Sequence, residues 1–251
     1  LKTDKKIIRN FIADLSAQNF SKRSINRKIS SLRSFFLFLL KIGEISQSPV
    51  ENISSIKFYP EKQSPISAEE MDDLKRHYTG AEELLEQCIV EVLYQTGMRK
   101  AELCGLQFED VNFQSAQIKV RGKGNKERFI PVSDDLLGLM KKYAAQRNPA
   151  EESKNYFFVS KKGRKLGEKF VYTTVNKYLS LVTTKDKKSP HMLRHSFATH
   201  VLNNGAEISK VKKILGHSSL ASTQVYTSAN IEQLKKVFNQ AHPRASKKEE
   251  L

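Results

Sequence analysis

The sequence lacks tryptophan and contains only two cysteines, Cys88 and Cys104. Because these cysteines are far apart and show no CxxC spacing, the sequence predicts neither a zinc site nor a disulfide framework. The longest apolar stretch, Phe35 to Leu40, is far too short to span a bilayer, and no signal peptide is visible. We therefore expect a globular protein of a reducing compartment, with no membrane partner.

Acidic residues are also scarce relative to basic ones. The chain carries 43 Lys and Arg against 27 Asp and Glu, a formal net charge of +16. An excess of this size favours a polyanionic partner and electrostatically steered association. Nucleic acid is the leading candidate, and a cytoplasmic, nucleoid-associated location follows from it. Charge alone does not distinguish DNA from RNA or anionic lipid.

Breaks in the hydrophobic periodicity predict two domains. Residues 1–58 indicate a helical domain, residues 59–66 with Pro60 and Pro65 a linker, and residues 67–241 a second domain. We expect residues 242–251 to be a flexible tail. With 39% hydrophobic residues, the chain can bury a sizeable core.

The predicted fold class is mainly α with a small antiparallel β-sheet, an α+β arrangement. Strands are expected at residues 117–121 and 128–132, joined as a hairpin by the Gly-rich segment between them, with a further strand or hairpin at 156–166. The pattern Ser67-Ala-Glu-Glu is a capping box that opens a helix. Helices are predicted over residues 4–18, 21–42, 67–78, 82–95, 100–106, 134–146, 168–182, 190–203, 207–215 and 230–240.

The helix at residues 21–42 combines an apolar stripe with a basic face. The stripe consists of Ile25, Ile29, Leu32, Phe36 and Leu39. The outward face carries small Ser side chains beside Arg23 and Arg27, and these permit close approach to phosphates. Residues 1–58 hold 11 basic and 4 acidic residues, a net +7. Candidate DNA contacts are Lys22, Arg23, Arg27, Lys28 and Arg33; the alternative is an ordinary solvated helix face.

Two arginines have neighbours that suit phosphate binding. Arg99 follows an apolar helix where Gly97 lets the backbone turn, and Glu102 comes three residues later. Arg99 would donate to phosphate oxygens while Glu102 orients it, or the two form only a local ion pair. His191 and Arg194 share one face near the start of a helix. They either bind an anion there or are ordinary residues of the surface or the edge of the core.

Three further residues are ambiguous when taken singly. Lys123 lies in a Gly-Lys-Gly hairpin turn that lacks P-loop spacing, and either donates a proton in an active site, with Lys126 as a rival, or is solvated. Gly216 before His217 is typical of a helix end. Tyr226 is one of eight tyrosines and alone would be assigned to packing.

Together these segments resemble the tyrosine recombinase family, most closely its Xer-type members and related phage-type integrases. The matching segments run from Thr96 to Leu103, Gly122 to Arg128, His191 to His200 and Leu215 to Tyr226. Their order and spacing agree with the family over residues 67 to about 240. Ala101 stands where a Ser is common, which affects no catalytic group. The family's amino-terminal domain usually begins with further helices, so we expect residues 1–58 to be a partial, truncated DNA-clamping domain.

The resemblance implies a site-specific recombinase of two domains, a helical DNA clamp and a mixed catalytic domain. It would cleave and rejoin DNA through a 3′-phosphotyrosine, for integration, excision or dimer resolution. The implied roles are Tyr226 as nucleophile, Arg99 and Arg194 as phosphate clamps, His191 as proton acceptor, His217 as phosphate ligand, Lys123 as general acid and Glu102 as a supporting residue. His195 would be packed or hydrogen-bonded. Because the link retains the bond energy, neither a cofactor nor a metal is expected.

The implied partners are a double-stranded DNA recombination site and other recombinase protomers. The resemblance implies a homo- or hetero-tetramer on synapsed DNA, assembled from chains that are monomers in solution, and leaves an accessory protein open. Ile231, Leu234, Val237 and Phe238 would dock the last helix onto a neighbouring protomer or back onto its own domain. Competing functions are a noncatalytic DNA-binding protein, a topoisomerase-like relaxing enzyme and an RNA-binding module.

Overall fold

The computed structural model describes residues 4–58, 64–78, 80, 83–122, 126–216 and 237–244. The chain divides into two compact units, Leu1–Lys62 and Gln63–Leu251. Each unit has its own hydrophobic core. Within the described ranges, no helix is both long and apolar enough to cross a membrane.

The first unit contains helices α1 (Lys5–Ala17) and α2 (Lys22–Lys41). The side chains of Asp4 and Ser21 cap them by accepting hydrogen bonds from the first turn of each helix. The predicted stripe on α2 is confirmed, with Leu32 only partly buried, and it packs against Ile8 and Leu15 of α1.

Seven helices of the second unit are described from end to end. They are α3 (Ala68–Leu74), α4 (Leu84–Thr96), α5 (Lys100–Gly105), α6 (Asp134–Gln146), α7 (Glu168–Val182), α8 (Pro190–Asn203) and α9 (Ile208–Leu215). The capping box of Ser67 and Glu70 is present, with each side chain accepting from the other's backbone N–H. Helix α3 is shorter than predicted and continues as a 3₁₀ turn, Lys75–His77. Every residue of α4 from Cys88 to Thr96 is buried, and so is Leu85, which makes α4 the central helix.

Three short antiparallel strands form the sheet: β1 (Val111–Asn112), β2 (Gln117–Arg121) and β3 (Glu127–Pro131), in that order. The predicted hairpin is confirmed, with Lys119 opposite Phe129. Strand β1, only two residues long, has no periodicity of its own to predict it. The observed helices and this sheet confirm the predicted α+β fold class.

The expected strand or hairpin at residues 156–166 is reduced to isolated bridges. Val159 pairs with Lys165 and Tyr156 with Gln107. The backbone N–H of Val159 donates to the Tyr143 hydroxyl at 2.9 Å, so a side chain replaces the ladder partner. Phe157 and Phe158 are both buried, which also breaks the alternation of a strand.

The prediction of a flexible tail is wrong for residues 242–244. His242 and Arg244 are only 3% and 6% exposed. Arg244 pairs with Asp72 and with the buried Glu91, and it donates to the Met71 carbonyl at 2.7 Å. A buried arginine requires such partners, and the tertiary fold supplies them from α3 and α4. Residues 245–251 lie outside the described ranges.

Candidate active site

Arg99 lies in the tight connection between α4 and α5. Helix α4 ends at Gly97, which takes the left-handed conformation at φ +61°. A Cβ at this position would lie 2.6 Å from Cδ1 of Phe197, so both the backbone angle and the packing require glycine. Arg99 then stands as the residue before α5, with 46% of its side chain exposed. The connection therefore determines where Arg99 reaches solvent.

Glu102 holds Arg99 from two sides. Its carboxylate accepts the Arg99 backbone N–H at 2.7 Å and the Arg99 Nη1 at 2.9 Å. The Glu102 side chain itself is only 6% exposed. The local ion pair offered as the alternative is thus present, and the same contacts orient Arg99, so the two interpretations are compatible.

A second arginine, Arg128 of β3, also donates to both oxygens of the Glu102 carboxylate. Its Nη1 and Nη2 donate to Glu102 at 2.9 and 2.7 Å, and its Nε donates to the Ile214 carbonyl at 2.7 Å. The motif match assigned Arg128 no role. Strand alternation places Arg128 on the buried side of β3 with Ile130, and its burial could have been predicted from this alternation.

Arg194 of α8 joins the ends of two other helices. Its Nη1 donates to the Gly97 carbonyl at 2.7 Å and its Nη2 to the Leu215 carbonyl at 2.6 Å. Burial, and then the positive charge of Arg99, lower the pKa of Arg194 to about 10. The guanidinium therefore stays charged at neutral pH, in a place where a further anion would be welcome.

Glu102 keeps its charge although it is buried. Burial raises the pKa of its carboxyl, but the hydrogen bonds and charge of Arg128, with those of Arg99, outweigh burial and hold the pKa below its ordinary value. We refer to Arg99, Arg128, Arg194 and Glu102 as the arginine cluster. It contains three cations and one anion, which suits it to bind a phosphate.

His191 lies one helical turn before Arg194. Pro190 opens α8 and Ser189 caps it, so His191 is in the first turn, where an anion is favoured. His191 is exposed whereas Arg194 is buried. The two therefore occupy the same end of α8 at different depths. His195, on the same helix, is exposed.

Lys123, His217 and Tyr226 lie outside the described residues. The residues that precede Lys123 and His217 in the chain, Gly122 and Gly216, lie beside the arginine cluster. Gly122 ends the described part of the hairpin, and Gly216 ends α9 in the left-handed conformation at φ +66°, which confirms it as the helix stop. A Cβ on Gly216 would lie 3.2 Å from Nη1 of Arg128. Lys126, the rival of Lys123, is exposed.

The candidate DNA contacts on α2 differ in their surroundings. Lys22, Arg23 and Arg27 are exposed. Lys28 is half-buried, with its Nζ 5.3 Å from the centre of the Phe20 ring. Arg33 donates to the Ile53 carbonyl and the Ser55 hydroxyl, so it supports the segment after α2.

Metal-binding groups are not gathered at the arginine cluster. Among the residues that the structure describes, no group of three or more His, Cys, Asp or Glu is placed to hold a metal ion.

Comparison with known proteins gives consistent matches along the chain. A model of the phage integrase family matches residues 65–233, and one of the phage integrase N-terminal SAM-like domain matches residues 1–43. Tyrosine recombinase XerC of Thermodesulfovibrio yellowstonii is 35% identical over 247 residues, which cover 94% of this chain and 81% of that protein. XerC of Chlorobaculum parvum is 35% identical over 263 residues, covering 95% and 78%.

Solved structures also share the fold. The crystal structure of XerA recombinase is 27% identical, with a TM-score of 0.58, and the match covers 93% of this chain and 82% of that one. XerH recombinase, bound to a palindromic difH substrate after cleavage, has a TM-score of 0.74 at 22% identity and covers 94% and 71%.

Proposed function

Because the chain belongs to the phage integrase family of tyrosine recombinases, we propose that its arginine cluster binds the phosphate at which a DNA strand is cut. The chain is a site-specific DNA recombinase of the tyrosine type. One observation carries the proposal for the cluster. Arg99 and Arg194, far apart in sequence, meet at the end of α4, where Arg194 donates to the Gly97 carbonyl at 2.7 Å.

The chemistry of phosphoryl transfer explains the choice of arginine. Negative charge spreads over the non-bridging phosphate oxygens in the transition state, and preorganised guanidinium groups stabilise it there. Arg194 is held by two backbone carbonyls and Arg99 by Glu102, so neither must be ordered when the phosphate arrives. Both side chains are therefore proposed to contact the phosphate oxygens.

Two proton transfers complete the proposed reaction. The Tyr226 phenol, with an ordinary pKa of about 10, must lose its proton as it attacks phosphorus, and His191 in the first turn of α8 is the proposed acceptor. The 5′-oxygen of the leaving strand must gain a proton, which we assign to Lys123. His217 is proposed to hydrogen-bond the phosphate. The P–O bond to Tyr226 replaces the P–O bond to the 5′-oxygen, so rejoining is the reverse step.

The proposed partners follow from the reaction. XerH is described in complex with its difH substrate, and a double-stranded site is the corresponding partner for this chain. Exposed Lys22, Arg23 and Arg27 on α2 are proposed to contact the DNA backbone. Exchange between two sites would need a synaptic tetramer, of one chain or of two related chains, formed from monomers. Because DNA is the substrate, a nucleoid location stays our prediction.

The proposed function is tested by trapping the covalent intermediate. Nicked duplexes, drawn from a random or genomic pool, are incubated with the parent protein and with Tyr226→Phe, and protein–DNA bands are sought on a denaturing gel. We expect a band with the parent and none with the variant. An equal band with Tyr226→Phe would reject Tyr226 as nucleophile.

Relaxation, strand-exchange and binding-competition assays, set beside the trapping result, separate the competing functions. A topoisomerase-like enzyme would relax supercoiled DNA without exchanging strands between two sites, whereas a recombinase yields recombinant products. Tight duplex binding without any covalent band would favour a noncatalytic DNA-binding protein. Preference for RNA in competition would favour an RNA-binding module.

A further inference from the structure

Arg128 contacts two segments of the site at once. Its guanidinium donates to the Glu102 carboxylate and to the Ile214 carbonyl near the end of α9. The residue is only 4% exposed and lies against Gly216, where an added Cβ would come within 3.2 Å of its Nη1. A buried arginine in this position needs an explanation beyond surface charge.

The hydrogen bonds to Glu102 account for the whole carboxylate. Oε1 accepts from Nη1 of Arg99 and Nη1 of Arg128, each at 2.9 Å. Oε2 accepts from the Arg99 backbone and from Nη2 of Arg128, each at 2.7 Å. Two carboxylate oxygens offer about four acceptor positions, so all are in use. Arg99 therefore gives Glu102 a single bond from its guanidinium.

Arg128 also contributes to the net charge of the group that surrounds Glu102. With Arg128 present, the group of Arg99, Glu102 and Arg128 carries one net positive charge. Without Arg128, the Glu102 carboxylate would pair with Arg99 alone and could take a second bond from it in the fork-to-fork geometry that arginine favours. Arg99 would then be neutralised by its own orienting residue.

We propose that Arg128 is a positioning residue that saturates Glu102 and thereby keeps the Arg99 guanidinium free to bind the scissile phosphate. It acts through Glu102 and touches no reacting atom. This inference rests on the proposed role of Arg99 at the phosphate. Its failure can be separated from failure of that role, because the arrangement of Arg99 is measurable without any DNA.

Arg244 provides a matched control for a purely structural role. It is as deeply buried, at 6% exposed, and it likewise donates to a buried carboxylate, that of Glu91, and to a backbone carbonyl. Replacing either arginine by glutamine therefore removes a buried cation that is paired with a buried carboxylate. Only Arg128→Gln should change the behaviour of Arg99.

The first test compares two substrates that differ in charge at the scissile position. A methylphosphonate replaces one non-bridging oxygen by methyl and has no negative charge for Arg99 to balance. We expect Arg128→Gln to reduce the rate of covalent-complex formation on the phosphate by on the order of 100-fold, and far less on the methylphosphonate. Arg244→Gln should change both rates by the same factor. Arg128→Lys should give a rate on the phosphate between those of the parent and Arg128→Gln, because lysine keeps the charge but lacks the two parallel N–H donors of a guanidinium.

The second test observes Arg99 directly by nitrogen NMR of the arginine side chains, with Arg99→Lys identifying its signals. In Arg128→Gln we expect these signals to shift and to become narrower, because a second bond to Glu102 forms. In Arg244→Gln we expect the Arg99 signals to stay unchanged. Equal losses on both substrates, or Arg99 signals untouched by Arg128→Gln, would overturn the inference. A parent protein that cuts no duplex would reject the proposed function, while the NMR comparison would still decide the role of Arg128.

Discussion

At the scale of single residues, two of the buried arginines in the second unit differ in their surroundings. Arg128 lies against the phosphate-binding candidates, whereas Arg244 ties the chain after α9 back to α3 and α4. Each is paired, because an unpaired charge at this depth would cost several kcal/mol. Burial also keeps the nearby His242 uncharged at neutral pH, because it lowers the pKa of the imidazole.

His242 should make the protein less stable in mild acid. Burial lowers its pKa from 6.5 to about 3, among the rings of Tyr94, Phe197 and Phe238. Between these two values the unfolded chain binds more protons than the folded one, so stability falls as the pH drops below 6.5. From pH 6.5 to 5 the His242 contribution should fall by about 2 kcal/mol.

The measurement is urea unfolding of the parent and of His242→Phe at a series of pH values. Phenylalanine keeps the aromatic contact with Phe238 but cannot be protonated. We expect a flatter pH dependence for the variant below pH 6.5, even if it is less stable at pH 8 through loss of the bond from the Arg244 N–H. Parallel curves would show that His242 does not titrate in this way.

At the scale of helices and turns, the site is built where two helices stop. Helices α4 and α9 both end in a left-handed glycine, Gly97 and Gly216. Arg194 donates to the carbonyls of Gly97 and Leu215, so one side chain fastens both ends together. The residues that follow these glycines include Arg99 and His217. The two helix ends, which are distant in sequence, are thus brought together beside Arg194.

Gly97→Ala should disturb the site far more than Gly105→Ala. At Gly97 the φ of +61° is unfavourable for alanine, and the added Cβ would lie 2.6 and 2.8 Å from Phe197 and Leu215. At Gly105 an added Cβ meets nothing within 4 Å. We expect Gly97→Ala to lower the free energy of unfolding by about 2 to 4 kcal/mol, and Gly105→Ala to leave it unchanged or raise it by up to about 1 kcal/mol.

Thermal or urea unfolding of both variants checks this prediction, and trapping on nicked duplex reports on the site. Below its unfolding transition, Gly97→Ala should still form less covalent complex than Gly105→Ala, since Arg99 follows the turn directly. Equal stability of the two variants would mean that Phe197 and Leu215 move aside at little cost.

At the scale of the whole molecule, the chain consists of two compact units that differ in their density of positive charge. The two compact units are Leu1–Lys62 and Gln63–Leu251, each with its own core. Residues 1–58 carry +7 of the total +16, although they are less than a quarter of the chain. The first unit therefore has the denser positive charge.

We expect residues 63–251 to fold alone and to bind duplex DNA with a weaker dependence on salt than the full chain. Each phosphate contact that is lost removes about 0.9 from the slope of log affinity against log salt concentration. Circular dichroism melting would report folding of the second unit, and fluorescence anisotropy at several salt concentrations would give both slopes. Equal slopes would show that the basic residues of the first unit make no phosphate contacts.

Local patterns predicted most of the secondary structure. The capping box at Ser67, the stripe on α2 and the hairpin of β2 and β3 each depend on neighbouring residues, and all are confirmed. Predictions failed where distant contacts decide. Tyr143 takes the backbone N–H that a strand at Val159 would have used, and Glu91 and Asp72 hold Arg244 in a segment whose sequence looks mobile.

The sequence by itself determined the family, because four motifs in the right order and spacing are visible without any structure, and the matches to family models and relatives confirm it. It also determined which arginines and histidines are candidates. Only the tertiary structure decided that Arg128 shares the Glu102 carboxylate with Arg99, and that Arg194 joins the ends of α4 and α9. The reason is physical: whether a buried charge is paired depends on groups that folding brings together from distant parts of the chain.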